Sequence, residues 1–202
     1  MFAFERLIHA AAGGESPGYA TARLLVRPPR KSDFDEWAKL RRESRGFLRP
    51  WEPRWTPDHV TERNFRRRVA WSAQELAADR SYPFLIFHVS GAQMTLVGGI
   101  TLEHVRRGAA QSAALGYWLG KEHTGHGFMS EAVGGIIGFA TKTLELSRLE
   151  AACLPENKPS RRLLERCGFF EEAHLKNYLQ INGAWRDHLL YSRLLMDRSP
   201  TS

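Results

Sequence analysis

Two short segments carry residue types able to do chemistry. In the first, Tyr117 to Ala132 (YWLGKEHTGHGFMSEA), a strand-like run meets Gly125-His126-Gly127 and passes straight into an amphipathic helical pattern. Glycines in such a turn let the backbone approach an anion closely, and the unpaired N–H groups of a first helical turn can hold a phosphate without a cationic side chain. A tight strand-to-helix turn with no ligand fits the same residues. No Walker lysine follows, and Ala132, Val133 and Gly134 do not supply dinucleotide-fingerprint spacing. In the second segment, Asn157-Lys158-Pro159-Ser160, an amide and a hydroxyl stand where a strand ends and a helix begins. Helix capping is the plain alternative there.

The surrounding elements must position both segments. Arg23 to Pro28 (RLLVRP) is a β-like run stopped by Pro28-Pro29, and Ser32-Asp33 then precedes Phe34, Trp37 and Leu40 at helical spacing. Phe47 to Asp58 (FLRPWEPRWTPD) packs three prolines and two tryptophans into twelve residues, which forbids a regular helix and predicts an ordered aromatic loop. A second helix is expected from about Pro57 to Ala78. Pro83 to Val89, Thr95 to Val105 and Ser112 to Gly120 form an expected antiparallel meander. Ser130 to Leu144 puts Ala132, Val133, Ile136, Ile137, Ala140 and Leu144 on one helical stripe; Leu149 to Leu154 follows as a buried strand. Pro159 opens another helix, which Gly168 stops. His174 to Ile181 and Ala184 to Leu195 then flank Asn182-Gly183, a hairpin signal. Residues 1–20 are expected to be a loosely ordered N-terminal extension, leaving a single domain over 21–202.

Composition narrows the class. The chain has 202 residues, 43% hydrophobic and 25% charged, which excludes collagen-like, low-complexity and wholly disordered proteins and suits one core. Lys and Arg number 29 against 22 Asp and Glu, a formal charge of +7, which calls for an anionic partner: nucleic acid, a polyphosphate cofactor or an acidic surface. No apolar run approaches the roughly 20 residues that span a bilayer, and no signal-peptide pattern opens the chain, so neither membrane insertion nor export is expected. Cys153 and Cys167 have no metal-ligand spacing and are too few for a disulfide framework, which favours the cytoplasm.

In combination and in order, these segments resemble the GNAT superfamily of acetyl-CoA-dependent N-acetyltransferases. The resemblance is narrower to the ribosomal-protein-alanine N-acetyltransferase (RimJ/RimL-type) branch. It is carried by RLLVRPPRKSDFDEW (Arg23 to Trp37), FLRPWEP (Phe47 to Pro53), LVGGITL (Leu96 to Leu102), LGYWLGKEHTGHGFMSEA (Leu115 to Ala132), ENKPSRRLLERCGF (Glu156 to Phe169) and INGAWRDHLLYSRL (Ile181 to Leu194), and covers roughly residues 20–197. It implies an α/β (α+β) fold, a GNAT-like, mostly antiparallel twisted sheet of about seven strands flanked by about four helices. It also implies acetyl-CoA as donor, no metal, and a protein N-terminus as acceptor, that of a ribosomal protein.

Carried over by position, the resemblance implies that the backbone amides of Gly125, His126, Gly127, Phe128 and Met129 bind the cofactor's pyrophosphate. Trp118 and Leu119 would lie on the strand that pairs with the pantetheine arm, Asn157 would position that arm, and Ser160 would protonate the leaving thiolate. Two departures stand out: Glu122 replaces a frequent Gln or Arg three residues before the first glycine, and Leu164 stands where many members place a tyrosine acid. Members of the RimJ/RimL-type branch use a serine at the Ser160 position for that role.

Direct attack of a neutral amine on the thioester needs no covalent enzyme intermediate, so Cys153 and Cys167 are expected to pack rather than react. A backbone N–H near Trp118 and Leu119 would hold the oxyanion. An α-amine of pKa near 7.8 is about 14% neutral at pH 7 and a lysine at about 10.4 only about 0.04%, so an α-amine makes the smaller demand on a base. Glu103 is the candidate base, or else a solvated strand residue. Trp51, Trp55 and Tyr178 are candidate substrate-binding residues, and Asp187 could also meet a peptide N-terminus; packing is the alternative for each. His123 and His126 lack a third ligand for a metal. Arg161 and Arg162 could meet the cofactor's phosphates, and Arg66-Arg67-Arg68 ribosomal RNA, unless they form solvated helix faces. Two other functions compete. A small-molecule amine acetyltransferase should carry carboxylates around its mouth, and an RNA-binding protein with a vestigial cofactor site would use the same positive charge.

Overall fold

The alternating apolar runs pair into one sheet. The computed structural model describes residues 17–195, where eight strands follow the order β1-β2-β3-β4-β5-β6-β8-β7. They are β1 (Tyr19–Ala20), β2 (Leu24–Arg27), β3 (Tyr82–Ser90), β4 (Gln93–Arg106), β5 (Ser112–Leu119), β6 (Arg148–Cys153), β7 (Phe170–Ile181) and β8 (Ala184–Leu194). Five α-helices join them: α1 (Phe34–Glu43), α2 (Arg45–Leu48), α3 (Glu62–Ala77), α4 (Phe128–Lys142) and α5 (Lys158–Arg166). The mixed, mostly antiparallel sheet is as expected; the elements beyond that expectation include the two-residue β1 and the one-turn α2.

Strand β2, most of β3 and the middle of β4 bury both faces because their apolar residues run continuously. In β2, Leu24 and Val26 join the core beneath α4, with Ala132, Val133, Ile136 and Phe139. Leu25 points the other way, to Leu85, Phe87 and Leu96 and to Trp37 of α1 and Phe65 of α3. Ile136 is fully buried, and burying one such side chain is worth about 1.5–3 kcal/mol.

Local chemistry explains where the boundaries differ from expectation. Tyr19 and Ala20 fall within the expected extension, yet Tyr19 pairs with Val26 and its hydroxyl donates to Ala132 O at 2.7 Å. Residues 1–16 of that extension lie outside the described residues. The aromatic loop opens with helical turns, because Pro50 stands at the start of the 3-10 turn Arg49–Trp51, where its missing N–H is no loss. The next helix begins at Glu62 rather than near Pro57, because Thr61 caps it: its hydroxyl accepts from Asn64 N at 3.3 Å. Strand β7 starts at Phe170, directly after Gly168 (φ +77°) ends the α5 segment.

The break in the sheet is what positions a site. Strands β5 and β6 form its parallel pair, and they register only at Ser112↔Arg148, Ala113↔Leu149 and Ala114↔Glu150. Beyond Ala114 they part, while β5 stays paired to β4 as far as Gly98↔Leu119 and β6 to β8 as far as Cys153↔Leu189. Each strand therefore turns one unpaired backbone edge toward the gap.

Candidate active site

The gap opens into a cleft of about 490 Å³, lined by Leu115 to Leu119 on the β5 side and Ala151 to Leu154 on the β6 side. The start of α4 lies at one wall and the start of α5 at another; Phe47, Trp51 and Glu52 add a third. Strand β4 comes close enough to hold Trp118 because two glycines face it. A Cβ at Gly98 would sit 2.2 Å from Trp118 O, and one at Gly99 2.6 Å from Trp118 Nε1.

At the α4 wall the chain takes left-handed conformations at Gly125 (φ +81°) and Gly127 (φ +79°), which glycine adopts without a Cβ penalty. Gly127 is the N-cap of α4 and offers no side-chain cap; Glu131 N to Gly127 O, 3.1 Å, closes the first turn. The preceding N–H groups are thus left to a ligand or solvent. Gly125, Gly127, Phe128 and Met129 line the cleft, whereas His126 does not: its ring stacks near Phe128 and its carbonyl accepts from Arg23 Nη1 at 3.2 Å. Arg23 also pins the turn from behind through Glu131, whose Oε2 lies 2.7 Å from Nε and whose Oε1 accepts from Thr21 Oγ1 at 2.6 Å. Burial works against ionisation of Glu131, but the hydrogen bonds from Thr21 and Arg23 outweigh it and hold the carboxyl below its usual range.

At the α5 wall, Asn157 is the N-cap, its Oδ1 accepting from Ser160 N at 3.2 Å, so the capping role holds and both residues still line the cleft. Ser160 Oγ lies 2.7 Å from the hydroxyl of Tyr117, a contact that sequence reasoning missed. Burial raises the Tyr117 phenol above its ordinary value, so it stays protonated. Burial likewise pushes the neighbouring Cys153 thiol up to about 11, which leaves almost no thiolate near neutral pH.

On the third wall, Glu52 is the only carboxylate among the described residues that line the cleft. Buried Arg41 grips it in bidentate fashion at 2.8 and 2.6 Å, and Trp55 Nε1 donates to it at 2.8 Å. Arg41 also stacks over Trp55 (4.4 Å) and Trp118 (4.6 Å) and donates to His59 Nε2 at 3.1 Å. Burial, then the nearby Arg41 charge, push His59 down to about 4, so it is the neutral acceptor this bond requires. His188, 3% exposed, also lines the cleft; its Nδ1–H donates to Arg186 O at 3.0 Å, which leaves the Nε2 lone pair free.

Trp51, Trp118 and Leu119 line the cleft; three other candidates do not. Glu103 is exposed and opposite Ala114, where β5 and β6 are still joined, so strand register keeps it out of the gap. Trp55 is held against His59 (4.3 Å) behind Glu52 and faces an adjoining hollow. Tyr178, 45% exposed, packs edge-on against His188. Arg161 turns to Tyr191 Oη (3.2 Å) and Pro155 O, and of the α5 arginines it is Arg166 that borders the cleft. Asp187 is engaged within its hairpin by Asn177 N (2.9 Å) and His174. No cluster of three or more His, Cys, Asp or Glu suited to a metal occurs among the described residues. No helix among them is long and apolar enough to cross a membrane.

Comparison with known proteins agrees with this geometry. Residues 23–170 match the acetyltransferase (GNAT) domain family. The chain is 36% identical over 174 residues to "Probable N-acetyltransferase YjcK" of Bacillus subtilis, covering 86% of this chain and 95% of that one. It is 32% identical over 180 residues to the [Ribosomal protein uS5]-alanine N-acetyltransferase of Escherichia coli, covering 89% and 92%. Among solved structures, Mycobacterium smegmatis RimJ in complex with CoA-disulfide superposes with a TM-score of 0.82 at 32% identity, over 94% of this chain and 92% of that one. The uncapped turn, the parted strands and these relatives lead to one conclusion: the chain belongs to the GNAT family of acetyltransferases, enzymes that use acetyl-CoA.

Proposed function

We propose that the protein transfers an acetyl group to the α-amine of a protein N-terminus, that of a ribosomal protein. The observation that carries the reading is the single cleft that joins an uncapped helix start, two unpaired strand edges and the Ser160–Tyr117 hydroxyl pair. The donor fits: a Cβ at Gly125 would meet nothing within 4 Å, so the turn is open toward an anion. The N–H groups around Gly125, His126, Gly127, Phe128 and Met129 would hold the pyrophosphate. The free edge at Trp118 and Leu119, with Asn157, would hold the pantetheine arm. Acetyl-CoA, when bound, supplies the thioester acyl group.

The chain's own residues then have three tasks. His188 Nε2 takes the proton of the attacking amine, in place of Glu103. A backbone N–H of the β5 edge steadies the oxyanion. Ser160, oriented by Tyr117, gives a proton to the departing thiolate. A polyamine acceptor is disfavoured, because the one cleft carboxylate, Glu52, is already neutralised by Arg41. Support for a ribosomal acceptor is the likeness to the Escherichia coli uS5-alanine enzyme. The test is thiol release from acetyl-CoA with alanine-led peptides, N-terminally blocked lysine peptides and polyamines offered in turn. The alanine-led peptide should turn over fastest; activity confined to blocked lysine peptides or to polyamines refutes the assignment.

A further inference from the structure

Beyond Trp51 the cleft continues into a groove of about 500 Å³, which in turn shares Arg49 and Asn182 with a narrow hollow of about 170 Å³. Arg45, Arg49 and Arg54 line that hollow, with Trp55 and Asn182. Some arginines elsewhere on the fold, Arg23, Arg27, Arg41 and Arg186 among them, have a carboxylate partner. Arg45, Arg49 and Arg54 form no ion pair among the described residues. Arg49 Nε donates to Asn182 Oδ1 at 3.1 Å, and Arg45 stands 6.0 Å over the Trp55 ring. The opposite wall is fixed in place: Asn182 N donates to Glu52 O at 2.9 Å, which ties the β7–β8 turn to the loop carrying the arginines. Three like charges that converge on one concave spot repel one another, and a ligand with negative charge relieves that repulsion.

We infer that this hollow is an acceptor subsite for acidic side chains that follow the reacting N-terminal residue, so the preferred substrate is an acidic N-terminal segment. The inference rests on the α-amine reading above and adds the chemistry of the rest of the acceptor. An extended peptide whose amine lies in the cleft advances about 3.3–3.6 Å per residue and leaves past Trp51 into the groove. Its side chains then meet guanidinium groups, whose planar forks match carboxylates in bidentate fashion. A peptide suits the hollow better than RNA does. The Trp55 indole is already engaged by His59, Arg41 and Arg45, so it is a poor stacking platform for a base.

The test uses three peptides that share an N-terminal alanine and carry Glu/Asp, Gln/Asn or Lys at the next four positions, with acetyl-CoA saturating. The acidic peptide should show a KM at least tenfold below that of the neutral one at low salt, with the gap narrowing as salt rises. In the Arg49→Gln/Arg54→Gln variant the ratio of neutral to acidic KM should fall toward one. Both residues are exposed, and an unchanged melting temperature and coenzyme A affinity show that the variant is folded. Equal KM values for acidic and neutral peptides in the wild-type enzyme overturn the inference while leaving α-amine transfer standing. If no α-amine peptide is acetylated and a polyamine is, the underlying reading fails and the subsite with it. A fluorescent single-stranded RNA that binds the wild type and is lost in the variant, with the peptide ratio already at one, assigns the hollow to nucleic acid instead.

Discussion

Replacing Ser160 by alanine separates catalysis from architecture at this site. The capping bond at the start of α5 uses the backbone N–H of Ser160, so it survives the change. What is lost is the hydroxyl and its 2.7 Å bond to Tyr117, a group that burial keeps protonated. Leaving the Tyr117 hydroxyl without this partner costs about 1–3 kcal/mol of stability if water does not replace it. Loss of a general acid lowers turnover by about 10²–10⁴, or about 2.7–5.4 kcal/mol of barrier at 1.36 kcal/mol per decade. Tyr117→Phe keeps Ser160 and removes only what orients it, so its turnover should fall less, by about tenfold. The double variant should resemble Ser160→Ala alone, because residues acting as a unit are not additive. Thiol release gives kcat and KM, and calorimetry gives coenzyme A affinity, which should stay near wild type in all three. Turnover of Ser160→Ala within threefold of wild type, or affinity that collapses with turnover, refutes the acid role.

Other consequences are open to measurement. Gly127→Val forces a β-branched residue to φ +79°, at a cost of about 1–2 kcal/mol or more, while its Cβ would meet only Arg23 Nη2 at 3.5 Å; calorimetry should find coenzyme A affinity lowered at least tenfold through a distorted turn rather than a blocked one. By contrast Gly134, exposed inside α4 with open space at its Cβ, should accept Ala with a gain of about 0.5–1 kcal/mol in thermal melting and no change in coenzyme A affinity. His188→Gln should cut kcat while coenzyme A affinity stays near wild type, and an unchanged kcat would exclude His188 as base. His59 titrates at about 4 in the folded protein and 6.5 unfolded, so the unfolded state takes up its proton first as the medium is acidified. The stability His59 contributes is therefore intact above about pH 6.5 and lost as pH falls toward 4. His59→Gln should flatten that part of the denaturation-versus-pH curve.

By itself the sequence determined what depends on local order along the chain. Apolar periodicity set most of the strands and helices, and the glycines at 125 and 127 followed by the α4 stripe marked a tight strand-to-helix turn, with or without a bound anion. Asn157 and Ser160 were legible for the same reason, since a helix start is written in consecutive residues. Only the tertiary structure decided what depends on distance between segments. Tyr117 and Ser160 are 43 positions apart, and nothing local in either announces a 2.7 Å contact. Glu103 is of the right residue type for a base, but β5 and β6 separate only beyond Ala114, and that register is a property of the paired sheet rather than of β4. Glu52 and Arg41, eleven positions apart on a helix and a proline-rich loop, neutralise each other only because the chain folds back between them. The arginine hollow needs the β7–β8 turn to close over that same loop. Periodic burial is a one-dimensional signal, whereas a site is made where two or three distant strands and helix starts meet.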